Sequence, residues 1–205
     1  MEHDDPVYNS LFRYTKALSA ALGYRDASTQ LHSERVLGLA TLIGVHFGLS
    51  LPEMGILKIS ASFHDIGKIG IPDRILQKPG RFDETEWEIM RRHSEMGEKI
   101  LLATEMVGAP AASLAMRHHH ENFNGQGYPD RIAGEQISIV SRIICIADGY
   151  DAMSERRAYH RPKTHPEIMA ILHHETGQKY DPALMQIFNA LIEGSLFKAA
   201  TPGAT

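Results

Sequence analysis

Cysteine and tryptophan are almost missing from this 205-residue chain, which has one of each, Cys145 and Trp87. A single cysteine excludes a disulfide framework and fits a reducing compartment, so a cytoplasmic protein is expected. Long apolar runs are missing too. None reaches the roughly 18 residues that would cross a bilayer. The opening MEHDDPVYNS is acidic rather than signal-like, so no membrane partner is expected. Basic charge is not in excess either: the net charge is −4 and the pI near 6.3, which argues against a bulk nucleic-acid binder. A small anionic ligand remains compatible wherever positive charge is local. There is no internal repeat and no low-complexity linker. A chain of this length can bury roughly 70% of its unfolded surface and needs no covalent staple.

What the chain does have is histidine, twelve of them. Three stand side by side in RHHHENFNGQGYPD (117–130), followed by a carboxylate and then a glycine-bearing loop. Adjacent imidazoles are poor core material, so the run asks for a ligand. The remaining pattern is helical. Residues 7–22 are amphipathic, and residues 29–48 are apolar on most sides after Val36, as a central buried helix would be. Pro52 opens a helix that ends at HDIGK, with Gly67 as its expected C-cap. Asp83 and Glu86 form a capping-box pattern opening a helix through Trp87 to about Leu102. Pro110 opens another, running to the histidine run, and Asp181-Pro182 opens the last. The β-branched stretch 137–153 fits either a buried strand or a buried helix. Its length, and the lack of a second strand to pair with, favour the helix. An all-α, single-domain helical bundle follows. Residues 1–22 form a leading helix, 23–195 the domain, and 196–205 a small polar tail expected to be disordered.

Several polar groups sit where such a bundle would not place them idly. His64 and Asp65 are neighbours at a helix end, where side chains that diverge by roughly 100° on a helix can still converge. Asp148 ends a nearly continuous apolar run, and Asp151 follows one turn later. A carboxylate buried there must be paired, protonated or metal-bound. Taken singly, each has an ordinary reading: His32 as a satisfied boundary histidine, His93 as part of a polar face, Lys68 as a solvated lysine, His118, His119 and His120 as an exposed helix end. Together they offer neutral imidazoles and carboxylates suited to Fe, Mn, Ni or Zn. The ligands are too many for one tetrahedral site. Two ions about 3.5–4 Å apart would use them all and form the usual clamp for phosphate-ester hydrolysis. His173-His174-Glu175 repeats the HHE triplet without the glycine loop and reads as a solvated helix end.

The stretches HSERV (32–36), HDIGKIGIPDRILQKPG (64–80), RRHSEMGEKIL (91–101), HHENFNGQGYP (119–129), ADGYDAMSERRAY (147–159) and TGQKYDP (176–182) resemble, in order and spacing, the HD-GYP domain. That family is a subgroup of the HD metal-dependent phosphohydrolases, and the resemblance covers roughly residues 20–192. It implies hydrolysis of cyclic di-GMP to pGpG, and on to GMP. Carried over, one divalent ion would be held by His32, His64, Asp65 and Asp148, and the second by His93, His119 and His120 with Asp65 bridging. Lys68 would serve catalysis and touch substrate beside the metals, with Asp151 behind them. Arg157 would grip a substrate phosphate, with His160 as a second contact and Tyr128 as an aromatic lip.

The chain departs from the family at His160, where Arg or Lys is frequent, at Ala158, where proline is usual, and at Asn124, where Asp is common. Family members with three ions carry a glutamate four residues before the histidine of HSERV. Here that position is Ser28, which implies two ions. A sensory or receiver domain, or a diguanylate cyclase, is the partner the resemblance implies. Two other functions fit the same residues: a non-catalytic cyclic di-GMP sensor, or a phosphodiesterase for another cyclic dinucleotide such as cyclic GMP-AMP.

Overall fold

The computed structural model describes residues 6–25, 27–155 and 161–199. Among these residues ten α-helices follow one another: α1 (Pro6–Arg25), α2 (Ala27–Phe47), α3 (Leu51–Phe63), α4 (Asp73–Leu76), α5 (Glu84–Arg91), α6 (His93–Leu102), α7 (Ala109–Arg117), α8 (Ile139–Ser154), α9 (His165–Glu175) and α10 (Pro182–Ile192). Short 3-10 turns stand at Ile66–Gly70 and Gly134–Gln136. Among the described residues there is no strand, only an isolated bridge between Thr176 and Tyr180. The expected all-α bundle is the fold observed.

Local chemistry sets most helix starts. Ser50 and Glu53 form a capping box ahead of Pro52, and Asp83 accepts from the Glu86 amide at 2.9 Å while Glu86 accepts from the Asp83 amide. Ser138 caps α8 by accepting from the Ser141 amide at 3.0 Å, and Asp181 caps α10. The ambiguous segment 137–153 is thus a helix. Its β-branched residues are tolerated because tertiary packing outweighs propensity: Val140, Ile143, Ile144, Ile146 and Ala147 are all buried.

Helix α3 stands at the centre and has two apolar faces. Leu57 and Ala61 join a core built with α2, α8, α9 and α10 through Val36, Leu39, Ile43, Ile144, Leu172, Leu184 and Phe188. Ile59 and Phe63 join a second core with α1, α6 and α7 through Leu11, Leu22, Leu101, Ala112 and Met116. The C-terminal end of α3, where His64 and Asp65 follow, therefore emerges between the two cores.

Four expectations need correcting. Gly67 is not a C-cap. It lies inside the 3-10 turn, and a Cβ there would stand 1.8 Å from the His93 carbonyl oxygen, so its role is close approach to α6. The helix expected over 84–102 breaks at Arg92 into α5 and α6, with no Gly or Pro at the break. Helix α2 is buried along Val36, Leu39, Ala40 and Ile43, but Val45 and Phe47 near its end face solvent. His118 is buried rather than exposed; its Nε2 lies 2.7 Å from the Asp130 carboxylate. Of the segment 196–205, residues 196–199 are described. There the Phe197 ring lies over Gly38, and the Ala199 amide donates to the Tyr150 hydroxyl at 2.8 Å. Arg157, Ala158 and His160 lie outside the described residues, as does the Ser28 side chain.

Candidate metal centre

Five elements deliver side chains to one buried point. His32 comes from α2, His64 and Asp65 from the end of α3, His93 from the start of α6, His119 and His120 from just beyond α7, and Asp148 from α8. The break at Arg92 makes His93 the first residue of α6, and the 3-10 turn lies against that helix start because residue 67 is glycine. That contact is what brings Asp65 to His93.

The imidazoles are fixed from behind in a repeated way. His64 Nδ1 donates to the Ala61 carbonyl at 2.8 Å, His93 Nδ1 to the Met90 carbonyl at 2.8 Å, and His119 Nδ1 to the Met116 carbonyl at 2.5 Å, each three residues upstream. His32 Nδ1 instead meets the Asp151 carboxylate at 2.7 Å. Holding the proton on Nδ1 leaves the Nε2 of His64, His93 and His119 as a lone-pair donor facing inward, the usual arrangement behind metal-bound histidine.

Inside this ring the polar atoms are poorly matched to one another. His64 Nε2 is buried and without any hydrogen-bond partner. His93 Nε2 and His119 Nε2 lie 3.4 Å apart, so with both protons on Nδ1 two lone pairs face each other. Asp65 sits between: its Oδ2 is 3.5 Å from His64 Nε2 and 4.0 Å from His32 Nε2, and its Oδ1 is 3.5 Å from His93 Nε2. Asp148 Oδ1 is 3.0 Å from His32 Nε2. Three overlapping groups of ligand atoms lie within 4.8 Å of one another: His32, His64, Asp148; His93, His119, His120; and His64, Asp65, His119. An orphaned His64 Nε2, with imidazole and carboxylate atoms converging around it, fits divalent cations of the Fe, Mn, Ni or Zn type. A fourth such group, His32 with Asp151 and Glu155, is already served by a cation of the protein itself. Arg35 bonds Asp151 at 2.7 and 3.0 Å and Glu155 at 2.7 Å.

Electrostatics divide the histidines. Burial, then the neighbouring imidazoles of His64 and His93, push His119 down to about 3. Burial, then His119, likewise holds His120 well below its ordinary value, and burial lowers His93. These three stay neutral, the form that binds metal. Burial also opposes charge on His32, but the hydrogen-bonded carboxylates of Asp148 and Asp151 outweigh it and raise the pKa to about 9. Burial works against ionised Asp65, yet the Lys68 ammonium and the imidazoles of His64, His93 and His32 hold it well below the usual carboxylate range. Lys68 Nζ touches Asp65 Oδ2 at 2.5 Å.

The glycine loop closes the site. Gly125 adopts φ +79°, and a Cβ on Gly127 would come within 2.2 Å of the Asn122 amide nitrogen, so only glycine lets the chain fold back over His120–Asn122. Asn124 accepts from the Gln126 amide at 3.0 Å, the turn-forming contact an aspartate would also make. Glu121, the carboxylate of the HHE triplet, faces the loop: its Oε1 accepts from the Asp130 and Arg131 amides at 2.6 and 2.9 Å. The loop thereby lays the Tyr128 ring against His120, with centroids 4.9 Å apart. His173 and His174 are exposed on the α9 surface, where His173 Nε2 lies 3.1 Å from Asn189 Oδ1, and neither joins the cluster.

Sequence reasoning missed Arg35, Glu121 and Asp130. Arg35 stands three residues after His32, on the same helix face, which was the signal available for it. It placed the end of α9 at His173-His174-Glu175 but missed its start, where Thr164 and Glu167 form a capping box around Pro166.

The profile of the HD domain family matches residues 16–184, and the chain belongs to that family. It is 36% identical to the cyclic di-GMP phosphodiesterase response regulator RpfG of Xanthomonas campestris pv. campestris over 177 residues, covering 86% of this chain and 46% of that protein. It is also 36% identical to the 3'3'-cGAMP-specific phosphodiesterase 2 of Vibrio cholerae over 170 residues, 83% of this chain and 33% of that one. The chain therefore spans less than half the length of these relatives. Among solved structures, a cyclic GMP-AMP phosphodiesterase of V. cholerae shares the fold, with TM-score 0.65 and 20% identity over 93% of this chain and 50% of that one.

Proposed function

We propose that this chain is the catalytic domain of a metal-dependent phosphodiesterase that hydrolyses cyclic di-GMP to pGpG, and on to GMP. The observation that carries the reading is Asp65, one carboxylate whose two oxygens face two separate histidine groups. A bridging carboxylate between two imidazole sets is the requirement of a binuclear centre. The printed names of the relatives, cyclic dinucleotide phosphodiesterases, support the substrate class.

In this reading His32, His64, Asp65 and Asp148 would hold one ion and His93, His119 and His120 the other, with Asp65 available to both. Iron or manganese is favoured over nickel or zinc. Such a pair supplies Lewis acidity toward a phosphodiester and lowers the pKa of water. The protein's own groups do the rest. Asp151 acts through His32, fixing its tautomer and direction, and Arg35 fixes Asp151 in turn. The Lys68 ammonium holds Asp65 ionised and stands ready to steady an oxygen leaving with the cleaved ester. Burial raises the Tyr128 phenol above its ordinary value, so it stays neutral and presents a ring and a hydroxyl to substrate. Arg157 and His160 contact the phosphates. A receiver or sensory domain, or a diguanylate cyclase, is the partner for such a domain.

A second reading rests on a specific observation: a cGAMP-specific relative is as similar as the cyclic di-GMP one. Both are tested together. Protein prepared anaerobically with Fe(II), or loaded with Mn(II), is incubated with cyclic di-GMP and with 3'3'-cGAMP, and products are followed by chromatography. Linear pGpG is expected from the first. Product from cGAMP alone would move the substrate to the second reading. No product from either, with two ions bound, would contradict the proposal.

A further inference from the structure

Just outside the metal cluster an arginine lies in cation-π range of two aromatic rings. The Arg91 guanidinium lies 5.9 Å from the centre of the Trp87 ring and 5.6 Å from that of Tyr128. Phe82 props Trp87 edge-on at 5.4 Å, and Tyr128 in turn lies against His120. Arg91 is exposed, Trp87 is 44% exposed, and no carboxylate among the described residues pairs with Arg91. Other arginines around the site are consumed: Arg35 by Asp151 and Glu155, Arg117 by Glu98 and Asp130.

A cation-π contact uses the charge of a guanidinium and not its N–H donors, so an exposed arginine held this way keeps them for a further partner. Two of those donors form a planar fork. Guanine presents the matching pair of acceptors, O6 and N7, whereas adenine offers an acceptor beside a donor amine. Trp87, 44% exposed next to Arg91, adds an aromatic surface on which a purine can stack. The position, two residues from His93 and one ring from His120, is where the base of a dinucleotide would lie with its phosphate at the metal cluster.

We infer that Arg91, with Trp87 and Tyr128, forms a guanine-recognition subsite. It rests on the reading of the site as a cyclic dinucleotide phosphodiesterase, and makes Arg91 a specificity-determining residue of it. The fork selects guanine over adenine, and Arg91→Lys, which keeps the charge but loses the fork, does not replace it.

Trp87 is the sole tryptophan, so intrinsic fluorescence reports directly on this spot. Metal-loaded protein is titrated with non-hydrolysable phosphorothioate analogues of cyclic di-GMP and of cyclic di-AMP, and KM and kcat for cyclic di-GMP are measured in parallel. The guanine analogue should change Trp87 emission and bind more tightly than the adenine one. Arg91→Ala and Arg91→Lys should each weaken guanine-analogue binding and raise KM by about tenfold, the worth of one charge-assisted contact. Adenine-analogue affinity should move much less, and kcat should hold. An equal loss for both bases would make Arg91 a prop for the loop and overturn the inference. Turnover of cyclic di-GMP with no Trp87 response and no Arg91 dependence would overturn it while leaving the proposed function standing. Guanine-selective, Arg91-dependent binding without turnover would do the reverse.

Discussion

His64 Nε2 has no partner although it is buried, while the Nδ1 of the same ring is held by the Ala61 carbonyl. An unsatisfied polar atom costs about 1–3 kcal/mol, and a ring so carefully oriented from behind points that atom at something. At this scale the sequence was informative for residue type. His32, His64, Asp65, His93, His119, His120 and Asp148 could be singled out because imidazoles and carboxylates do not collect in a core without reason. What stayed hidden was support by backbone carbonyls three residues upstream, which has no side-chain signature. His118 was hidden as well: adjacent in sequence to two site histidines, it turns to Asp130. Two outcomes follow. Asp151→Asn should leave the fold intact but weaken metal affinity 10–100-fold, the usual loss when the group behind a histidine is changed; isothermal titration with Mn(II) measures it. His120→Ala should lower bound metal and activity together, whereas His174→Ala, on the exposed α9 surface, should alter neither. The opposite pattern would reverse the assignment of the two HHE triplets.

Helices legible from their starts were those with local signals: Pro52, Asp83 with Glu86, Pro110, and Asp181 with Pro182. The break at Arg92 was not, because tertiary contact creates it. The start of α6 has to meet the 3-10 turn after α3, and residue 67 allows that meeting only as glycine. Gly67→Ala should force the two apart. Overpacking of this kind costs about 1–3 kcal/mol, and each 1 kcal/mol moves Tm by about 2–4 °C at this size. A Tm lower by several degrees and a loss of metal binding are expected together, and unchanged metal affinity would show that the contact does not set the site.

The glycine loop is an element of the same kind, latched by Asp130. The Arg117 and His118 contacts hold the Asp130 carboxyl well below its ordinary value. A depressed carboxylate contributes stability above its unfolded pKa, near 3.9, and loses it as pH falls. The pair is partly exposed, so the contribution is below about 1 kcal/mol. Asp130→Asn should lower Tm slightly at pH 7 and flatten the fall in Tm between pH 5 and 3, measured by thermal melts. A pH profile parallel to wild type would remove Asp130 from the latch.

Over the whole molecule, α3 belongs to both cores, and the site lies where those cores meet. Cys145, on the α8 face toward the first core, reports on this. It is 4% exposed, and burial pushes its thiol up to about 12. Labelling of Cys145 by a thiol reagent at pH 8 should therefore wait for global unfolding and slow further when metal is bound. Rapid labelling of the native protein would mean that α8 opens locally. The all-α architecture was legible because a lone β-branched stretch had no pairing partner. The meeting of two cores at the end of α3 was not, because it depends on which face each helix turns inward.

The central claim is that two ligand groups share one carboxylate. Metal content by mass spectrometry on anaerobically prepared protein, wild type beside Asp65→Ala, tests it most directly. Two ions per chain are predicted for wild type, with both depleted in Asp65→Ala while circular dichroism stays helical. A wild type holding one ion, or an Asp65→Ala protein that retains two, would contradict the account.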